Sequence, residues 1–341
     1  MKKIAVVVLN WNGQKFLEQF LPTVIKHSSI AQIIVADNHS TDTSVSYVKS
    51  NFPEVAIIQN SHNDGFAKGY NTALKQVRAE YYVLLNSDVE VTANWLEPII
   101  TLMDSNKNIA ACQPKILDYN HRHLFEYAGA VGGFIDTYGY PFCRGRIFNH
   151  LEEDTNQYND AVEVFWATGA CMFVRAEAFW KVGGFDDDYF AHMEEIDLCW
   201  RLKNSGYLIY VQPTSSVYHV GGGTLHKLSP NKTYLNFRNN LTTFTKNASP
   251  RFLLLKILYR MLLDGVAAYK FLFEGKGSHF VAVMKAHFSF YAQLLSTLKK
   301  RKAMKALPNF RYTESGIFKK NIVFLHFIKG LKTYTEIIKQ K

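Results

Sequence analysis

The N-terminal part of the chain alternates between two kinds of segment, and this alternation limits the folds that it can adopt. Four short runs are almost continuously apolar: Ile4–Leu9, Ala31–Ala36, Val55–Gln59 and Tyr81–Leu85. Such runs are expected for strands that are buried on both faces of a sheet. Three segments between them have the spacing and polar starts of helices: Gln14–Lys26, Asp42–Ser50 and Ala67–Val77. Repeated strand–helix units predict an α/β fold with a central, mostly parallel sheet and right-handed crossovers.

Polar residues follow the predicted strands, at the edge of the sheet where the ligands of such folds gather. Asn10 follows the first strand and Asp37 the second. Asn63, Gly65 and Lys68 follow the third strand at a predicted helix start, which can cradle phosphate. We predict that Asp37 accepts a hydrogen bond from a nucleobase. The alternative is that these residues only form turns and helix caps.

The fourth predicted strand is followed by Asn86, Ser87 and Asp88. A carboxylate at this position can bind Mg²⁺ or Mn²⁺ while phosphate oxygens fill further positions, because these cations favour oxygen ligands. We therefore predict that Asp88 is a metal ligand and that Asn86 lies beside a nucleotide. The alternative is that Asp88 is a solvated turn residue.

A second acidic cluster begins a predicted helix further along the chain. It contains Glu194 and Glu195, and either carboxylate could act as a general base. The alternative is that these acids only interact favourably with the helix dipole. For Asp197 we favour a structural role, as an i,i+4 ion pair with Arg201.

Charge is distributed unevenly along the chain. The 39 Lys and Arg and 29 Asp and Glu residues give a formal net charge of +10. Residues 250–341 hold 18 of the basic and 4 of the acidic residues, so this tail carries +14 and the remainder −4. A basic tail is typical of proteins that bind membranes or nucleic acid. No nucleic-acid-binding motif accompanies the charge, so we expect no nucleic-acid partner.

Two segments of the tail, Phe252–Phe273 and Phe280–Leu298, are rich in apolar residues. Polar residues recur at four-residue steps in the first of them: Lys256, Arg260 and Asp264. This spacing predicts amphipathic helices, and neither segment offers the ~20 uncharged residues that span a bilayer. We predict that they lie in an anionic membrane interface, anchored by Lys299–Lys302 and Lys305. The alternative is a hairpin packed on the remainder of the protein or on another subunit.

The cysteines and the N-terminus indicate a reducing compartment. The four cysteines lack the spacing of a disulfide framework or of a zinc site. The apolar run Ile4–Leu9 is too short for a signal peptide and is predicted to be a strand. We therefore expect a cytoplasmic protein.

Six segments, in this order, resemble the family 2 inverting glycosyltransferases of GT-A fold, and most closely their bacterial rhamnosyltransferase-like branch. The segments are VVVLNWNG, VADNHSTD, NDGFAKGYN, LLNSD, WATGACMFVRAEAFWKVGGFDDDYFAHMEEIDLCWRL and YHVGGGT. The resemblance implies a Rossmann-like GT-A domain over residues 1–245. A basic, amphipathic helical extension is expected over residues 246–341.

The resemblance also implies roles for individual residues. Asp88 matches the metal-binding aspartate of a D-x-D motif whose first position is Asn86 here. His219 matches a position where some relatives place a further metal ligand. Glu194 and Glu195 match a Glu-Asp pair whose second member is usually the base. This match favours Glu195, although the choice between the two glutamates stays open.

Three further assignments concern the nucleotide and the acceptor. Asp37 matches the residue that contacts the nucleobase in the family. Trp166–Ala170 resembles the segment beside the acceptor, where small residues let a sugar approach the backbone. Arg238 could reach a diphosphate bidentately, with a surface ion pair as the alternative.

Together these features predict an inverting glycosyltransferase at the cytoplasmic face of a bacterial membrane. It would transfer a sugar, with rhamnose as the leading candidate, from a dTDP- or UDP-linked donor to a surface glycan or a lipid-linked acceptor. Mn²⁺ or Mg²⁺ would be the cofactor. The alternative is a non-catalytic carbohydrate-binding or scaffold protein that keeps the fold, and Asn86 is its best support.

Overall fold

The computed structural model describes residues 2–221, 229–307 and 309–340. Its strands are β1 (Ile4–Asn10), β2 (Ala31–Asp37), β3 (Ala56–Gln59), β4 (Tyr81–Asn86), β5 (Val89–Val91), β6 (Ile109–Asp118), β7 (Gly133–Asp136), β8 (Pro141–Cys143), β9 (Arg146–Ile147), β10 (His150–Leu151), β11 (Val162–Val164), β12 (Cys171–Arg175), β13 (Leu208–His219) and β14 (Ile317–Phe318). Its helices are α1 (Gln14–His27), α2 (Ser44–Asn51), α3 (Gly65–Leu74), α4 (Glu97–Ser105), α5 (Ala176–Lys181), α6 (Glu194–Asn204), α7 (Pro230–Asn247), α8 (Leu253–Phe273), α9 (Gly277–Met304), α10 (Ile322–Phe327) and α11 (Tyr334–Ile338).

The predicted strand–helix alternation is confirmed as β1 to β4 and α1 to α3. Within the described residues, one large sheet has the strand order 11-13-6-12-4-1-2-3, and β5 pairs with β13. Strands β3, β2, β1 and β4 are mutually parallel, and β12 runs antiparallel between β4 and β6. This is the mixed, mostly parallel sheet expected from the sequence.

The large sheet is buried on both faces, which explains its continuously apolar strands. Val6 and Val8 point to the layer that contains α1, α2 and α4. Ala5 and Val7 point to the opposite layer, which contains α3, α5 and α6. Because successive side chains of a strand alternate between faces, each strand contributes to both cores.

A second, smaller sheet has the order β10-β9-β8-β7-β14. Its last strand comes from the C-terminal tail and pairs in parallel with β7, with Ile317 opposite Ile135. Tail residues from α10 and α11 complete a separate apolar core with this sheet: Phe142, Ile147, Phe318, Ile322, Leu325 and Ile337. The end of the tail is therefore part of the globular structure.

Helix α8 is amphipathic, as predicted, but its polar side faces inward. The side chains of Arg260 and Asp264 are only 1% and 4% exposed, whereas Leu258 and Leu262 are 55% and 65% exposed. Arg260 donates to the carbonyl of Tyr138 and to the side chain of Asn240, and Asp264 lies 3.2 Å from His287 of α9. Helix α8 thus packs largely through polar contacts and presents apolar residues outward, whereas α9 buries apolar side chains that include Val283 and Phe290.

Two of the basic residues expected at a membrane are instead bound to the protein. Lys300 forms ion pairs with Asp186 and Asp188. Arg301 is buried and donates to the carbonyls of Thr245 and Lys246. The prediction that all of Lys299–Lys302 face a membrane is therefore wrong for Lys300 and Arg301. Lys299, Lys302 and Lys305 are exposed.

A buried ion cluster joins α7 to α6 and to the preceding loop. Lys246 lies 2.5 Å from Asp186 and 2.7 Å from Asp197. Asp197 also accepts a hydrogen bond from Arg201 at 2.9 Å, which confirms the predicted i,i+4 pair. Burial alone would raise the pKa of Asp186, but Lys246 and Lys300 hold it well below its usual value.

Replacing Lys246 by Met is expected to destabilise the protein by about 3–5 kcal/mol, because it leaves two buried carboxylates without their shared cation. The matched control is Lys107→Met, which removes an ion pair to Glu80 from a side chain that is 69% exposed. That change should cost less than about 1 kcal/mol. Urea unfolding of both variants measures the difference, and equal losses would contradict the assigned importance of the cluster.

Candidate functional site

A cavity of about 900 Å³ opens at the carboxyl ends of β1 and β4 and extends to the small sheet. Seven of the predicted site residues line it: Asn63, Gly65, Asn86, Asp88, Glu194, Glu195 and His219. The other four, Asn10, Asp37, Lys68 and Arg238, do not contribute to its lining. The acceptor segment predicted at Trp166–Ala170 also contributes to the lining.

Strand pairing brings Asp88 and His219 together. In the antiparallel β5–β13 pair, Val89 lies opposite His219, and the backbone N–H of Val220 donates to the carbonyl of Asp88 at 3.1 Å. Asp88 Oδ1 consequently lies 3.2 Å from His219 Nε2. The motif YHVGGGT continues into Gly222–Thr224, which lie outside the described residues.

The second ring nitrogen of His219 faces another carboxylate. His219 Nδ1 lies 3.2 Å from Glu126 Oε2, and both side chains are buried. Burial alone would lower the pKa of His219, but Glu126 and Asp88 outweigh it and raise this pKa to about 10. The imidazole therefore lies between two carboxylates at the wall of the cavity.

Asp88 and His219 form a donor set that suits a divalent cation. An oxygen and an imidazole nitrogen are ligands that Mn²⁺ accepts, and a histidine ligand usually donates its other N–H to a carboxylate. Among the described residues, no group of three or more His, Cys, Asp or Glu side chains is arranged to hold a metal. The protein would thus supply two ligands, and a nucleotide or water the others.

The two glutamates lie at the start of α6 and open on the same cavity. Each has one carboxylate oxygen that is buried without a hydrogen-bond partner in the described part of the chain. Burial raises the pKa of Glu195 to about 7. Burial and the neighbouring Glu195 raise the pKa of Glu194 well above its usual range. Carboxyl groups with such pKa values are common at catalytic sites.

The turn before these glutamates is strained and is held in place by α7. His192 and Met193 have left-handed backbone conformations, with φ of 69° and 72°. Such conformations cost about 1–3 kcal/mol each and persist where the surroundings enforce them. Here Asn239 donates to the carbonyls of Ala191 and His192 at 2.9 and 2.8 Å.

Arg238 contributes to this support and lies apart from the cavity. Its Nε donates to Asn239 Oδ1 at 2.7 Å, and its terminal nitrogens contact Tyr234 and the carbonyl of Asp188. Arg238 therefore orients the amide that holds the turn. The structure does not bring it to the other predicted nucleotide-binding residues.

The predicted residues after the first two strands contact each other. Asn10 Nδ2 donates to Asp37 Oδ1 at 3.2 Å, and the backbone N–H of Ser40 donates to Asp37 Oδ2 at 3.0 Å. Both side chains are buried. These are the turn contacts of the alternative interpretation, and a nucleobase contact for Asp37 stays a prediction.

The helix start after β3 is partly occupied by the protein itself. Gly65 has φ of +81°, and a Cβ there would overlap the carbonyl oxygen of Phe190. That oxygen accepts a hydrogen bond from the backbone N–H of Phe66 at 2.7 Å. Lys68 pairs with Asp64 at 3.0 Å on the surface. Gly65 is thus required for the close approach of the Phe190 loop, and phosphate binding here stays a prediction.

Sequence reasoning missed several polar residues that line the cavity. Glu126 and Arg146 lie outside the motifs, and His192 lies within the fifth motif but was assigned no role. Four residues of α7 line it as well: Lys232, Thr233, Asn236 and Asn240. Their spacing places them on one face of the helix. Pro230 is the sequence signal for this helix, because proline is common at the first helical position.

His192 differs from the other groups in the cavity wall. Burial and the nearby Lys232 lower the pKa of His192 to about 4. The imidazole is therefore neutral at pH 7. A neutral ring adds no positive charge that would favour ionisation of the neighbouring glutamates, whose pKa values stay raised.

The family model of glycosyl transferase family 2 matches residues 5–183. Curated relatives include an N-acetylglucosaminyl-diphospho-decaprenol L-rhamnosyltransferase of Mycobacterium tuberculosis, 23% identical over 63% of this chain and 75% of that protein. Another is a dTDP-rhamnosyl transferase of Shigella flexneri, 23% identical over 72% of this chain and 81% of that protein. These relatives agree with the resemblance found in the motifs.

A solved structure is similar in fold. It is a mannosyltransferase of Pyrobaculum calidifontis in complex with GDP-Man and Mn²⁺. The alignment has a TM-score of 0.52 and 15% identity, and it covers 89% of this chain and 80% of that one. The GT-A fold predicted from the sequence is thereby confirmed. With the family model covering more than half of its length, the chain belongs to glycosyl transferase family 2 and is a glycosyltransferase.

Proposed function

We propose that this protein is an inverting, metal-assisted glycosyltransferase with Glu195 as the general base. The observation that carries the proposal is that Glu195, whose carboxyl has one buried oxygen and a pKa of about 7, opens on the same cavity as the Asp88–His219 pair. One group suits proton abstraction and the other suits a cation. An inverting transfer needs such a base and no enzyme nucleophile, and a cation would stabilise the leaving diphosphate.

Each residue then has a defined task. Glu195 accepts the proton of the acceptor hydroxyl as that oxygen attacks the anomeric carbon, on the face opposite the leaving diphosphate. Asp88 and His219 would hold Mn²⁺ or Mg²⁺, and the cation would stabilise the growing charge of the diphosphate. Asn86 and Asn63 lie on the same wall and contact the nucleotide. Thr168 and Gly169 leave space for the acceptor beside Glu195.

The donor and acceptor are proposed from the relatives. The Shigella protein is named for dTDP-rhamnose, and the mycobacterial protein for a lipid-linked N-acetylglucosamine acceptor. We propose a dTDP- or UDP-linked sugar donor, with rhamnose as the first candidate. The acceptor would be a surface glycan or its lipid-linked precursor.

We propose further that residues 246–341 attach the catalytic part to the cytoplasmic face of a bacterial membrane. The inverted amphipathicity of α8 supports this, because its apolar residues point to solvent while its polar ones are buried. A second stripe of exposed apolar residues lies on α9: Val281, Met284, Phe288, Tyr291, Leu295 and Leu298. In the part of the chain that the structure describes, no helix is long and apolar enough to cross a membrane.

The first test of the proposal is donor turnover. Purified protein, a panel of dTDP- and UDP-linked sugars and Mn²⁺ should release nucleoside diphosphate with at least one donor, and chelation of the metal should stop the release. Asp88→Ala should weaken nucleoside diphosphate binding strongly with Mn²⁺ present and little without it. Absence of turnover across the panel, with intact nucleotide binding, would favour the non-catalytic alternative.

The second test concerns the base. Glu195→Gln keeps size but removes basicity, so transfer should fall ~10²–10⁴-fold while donor affinity stays near that of the wild type. In the wild type, turnover should rise with pH through about 7, where Glu195 ionises. Glu194→Gln is the matched control. If only Glu194→Gln abolishes turnover, the base is Glu194.

The third test measures how the ionisation of Glu195 changes the stability of the folded protein. The pKa of Glu195 rises from 4.5 to about 7 on folding, so the folded state holds this proton more tightly. The binding of this proton therefore stabilises the folded state fully below pH 4.5, and this stabilisation is lost as the pH rises to about 7. Glu195→Gln should therefore be more stable than the wild type at pH 8, by about 3 kcal/mol, and similar at pH 4. Exposed Glu54→Gln should show no such pH-dependent difference.

The fourth test concerns the membrane. Flotation with anionic vesicles should carry the protein at low salt, and 1 M salt should release it, since screening then acts within ~3 Å. Leu258→Ser with Leu262→Ser should abolish flotation, because both side chains are exposed. Charge reversal at Lys299, Lys302 and Lys305 should weaken it.

The matched control for the charge reversal is the same change at three exposed lysines of the catalytic part: Lys15, Lys26 and Lys49. These residues lie outside the hairpin, so flotation should be unaffected. Failure of the wild type to float with anionic vesicles would instead favour a subunit interface on the hairpin.

A further inference from the structure

Glu126 is a buried carboxylate in the loop after β6, and no motif marks it. It lies in the wall of the cavity, 3.2 Å from His219 Nδ1 through its Oε2. The backbone N–H of Ala128 donates to the same oxygen at 2.5 Å. A glutamate this deeply buried requires partners of this kind, since an isolated carboxylate is costly to remove from water.

The backbone around Glu126 fixes its position. Its N–H donates to the carbonyl of Ile116 at 3.0 Å, and its carbonyl accepts from Ala130 at 3.1 Å. On the other side, Gly221 has φ of +70°, and a Cβ there would lie 2.8 Å from Glu126 Oε1. The carboxylate is therefore confined between the chain at Gly221 and the imidazole of His219.

The two nitrogens of His219 face different groups. Nε2 faces Asp88, where the cation of the proposed function would lie, and Nδ1 faces Glu126. A histidine can ligate a metal only through a nitrogen that carries no proton. With Glu126 beside Nδ1, the ring would keep its proton on that nitrogen when a cation replaces the proton on Nε2, so that Nε2 could serve as the ligand.

We propose that Glu126 is a positioning residue that fixes the orientation and tautomer of His219 for metal binding. This inference rests on the proposed metal-assisted function, and Glu126 touches neither the donor nor the acceptor in it. A purely structural buried glutamate would affect folding without a specific effect on metal affinity. Metal affinity therefore distinguishes the two roles.

Mn²⁺ is titrated into the 341-residue protein, and binding is monitored through the electron paramagnetic resonance signal of the free ion. Saturating dTDP or UDP is present, whichever binds the wild type more tightly. Glu126→Ala should weaken Mn²⁺ binding about 10–100-fold. Glu126→Gln keeps a hydrogen-bond acceptor without the charge, so its loss should be smaller but measurable. Nucleotide binding without metal should be unchanged in both variants.

Three reference variants make the outcomes separable. Asp88→Ala and His219→Ala remove the proposed ligands, and Glu153→Gln makes the same charge change at an exposed residue of a neighbouring segment. If the wild type binds no Mn²⁺ with nucleotide, the proposed metal function fails. If the ligand variants lose affinity while Glu126→Gln binds as tightly as the wild type, the positioning role is overturned. That second comparison holds even if Glu126→Ala does not fold.

Discussion

The pairing of β13 determines where the functional groups of this protein lie. Over its length this strand pairs with β11, β6 and β5, and it ends at His219. Three extra residues, Pro213–Ser215, interrupt its register with β6. Proline cannot donate a backbone hydrogen bond. In the interior of a sheet it is therefore tolerated where the hydrogen bonding between strands is interrupted. Beyond this irregularity the register sets His219 beside Asp88, and β6 leads into the loop that carries Glu126.

Much of the fold could be predicted from the sequence, because its determinants are local. Apolar runs and helical spacing predicted β1 to β4 and α1 to α3, and the order of motifs predicted the GT-A fold. The site could be predicted only in part. Asp88, His219 and the two glutamates do line one cavity, but Asn10 and Asp37 are occupied with each other. Glu126 comes to His219 through pairing of distant strands, which no single motif records.

The direction in which an amphipathic helix faces is also absent from its sequence. The spacing of Arg260 and Asp264 predicts a polar stripe, and in a soluble protein such a stripe normally faces solvent. Here the stripe is internal, because Asn240, Tyr138 and His287 supply its hydrogen-bond partners. Similarly, Lys300 and Arg301 looked like parts of one exposed basic run. Their partners lie in the loop at Asp186 and at the end of α7, which only the folded structure brings near.

The contribution of β14 to the small sheet has a consequence for how the chain acquires its shape. Tyr140 and Phe148, in the connections between strands of that sheet, form part of the cavity wall. The sheet, in turn, is completed by Ile317 and by Ile322, whose backbone N–H donates to Asp136 at 3.0 Å. During synthesis the strands of the N-terminal part emerge first and can pair with one another, since their contacts are close in sequence. The cavity wall is therefore complete only after Ile322, 186 residues beyond Asp136 in the chain, has been synthesised and has packed on the small sheet.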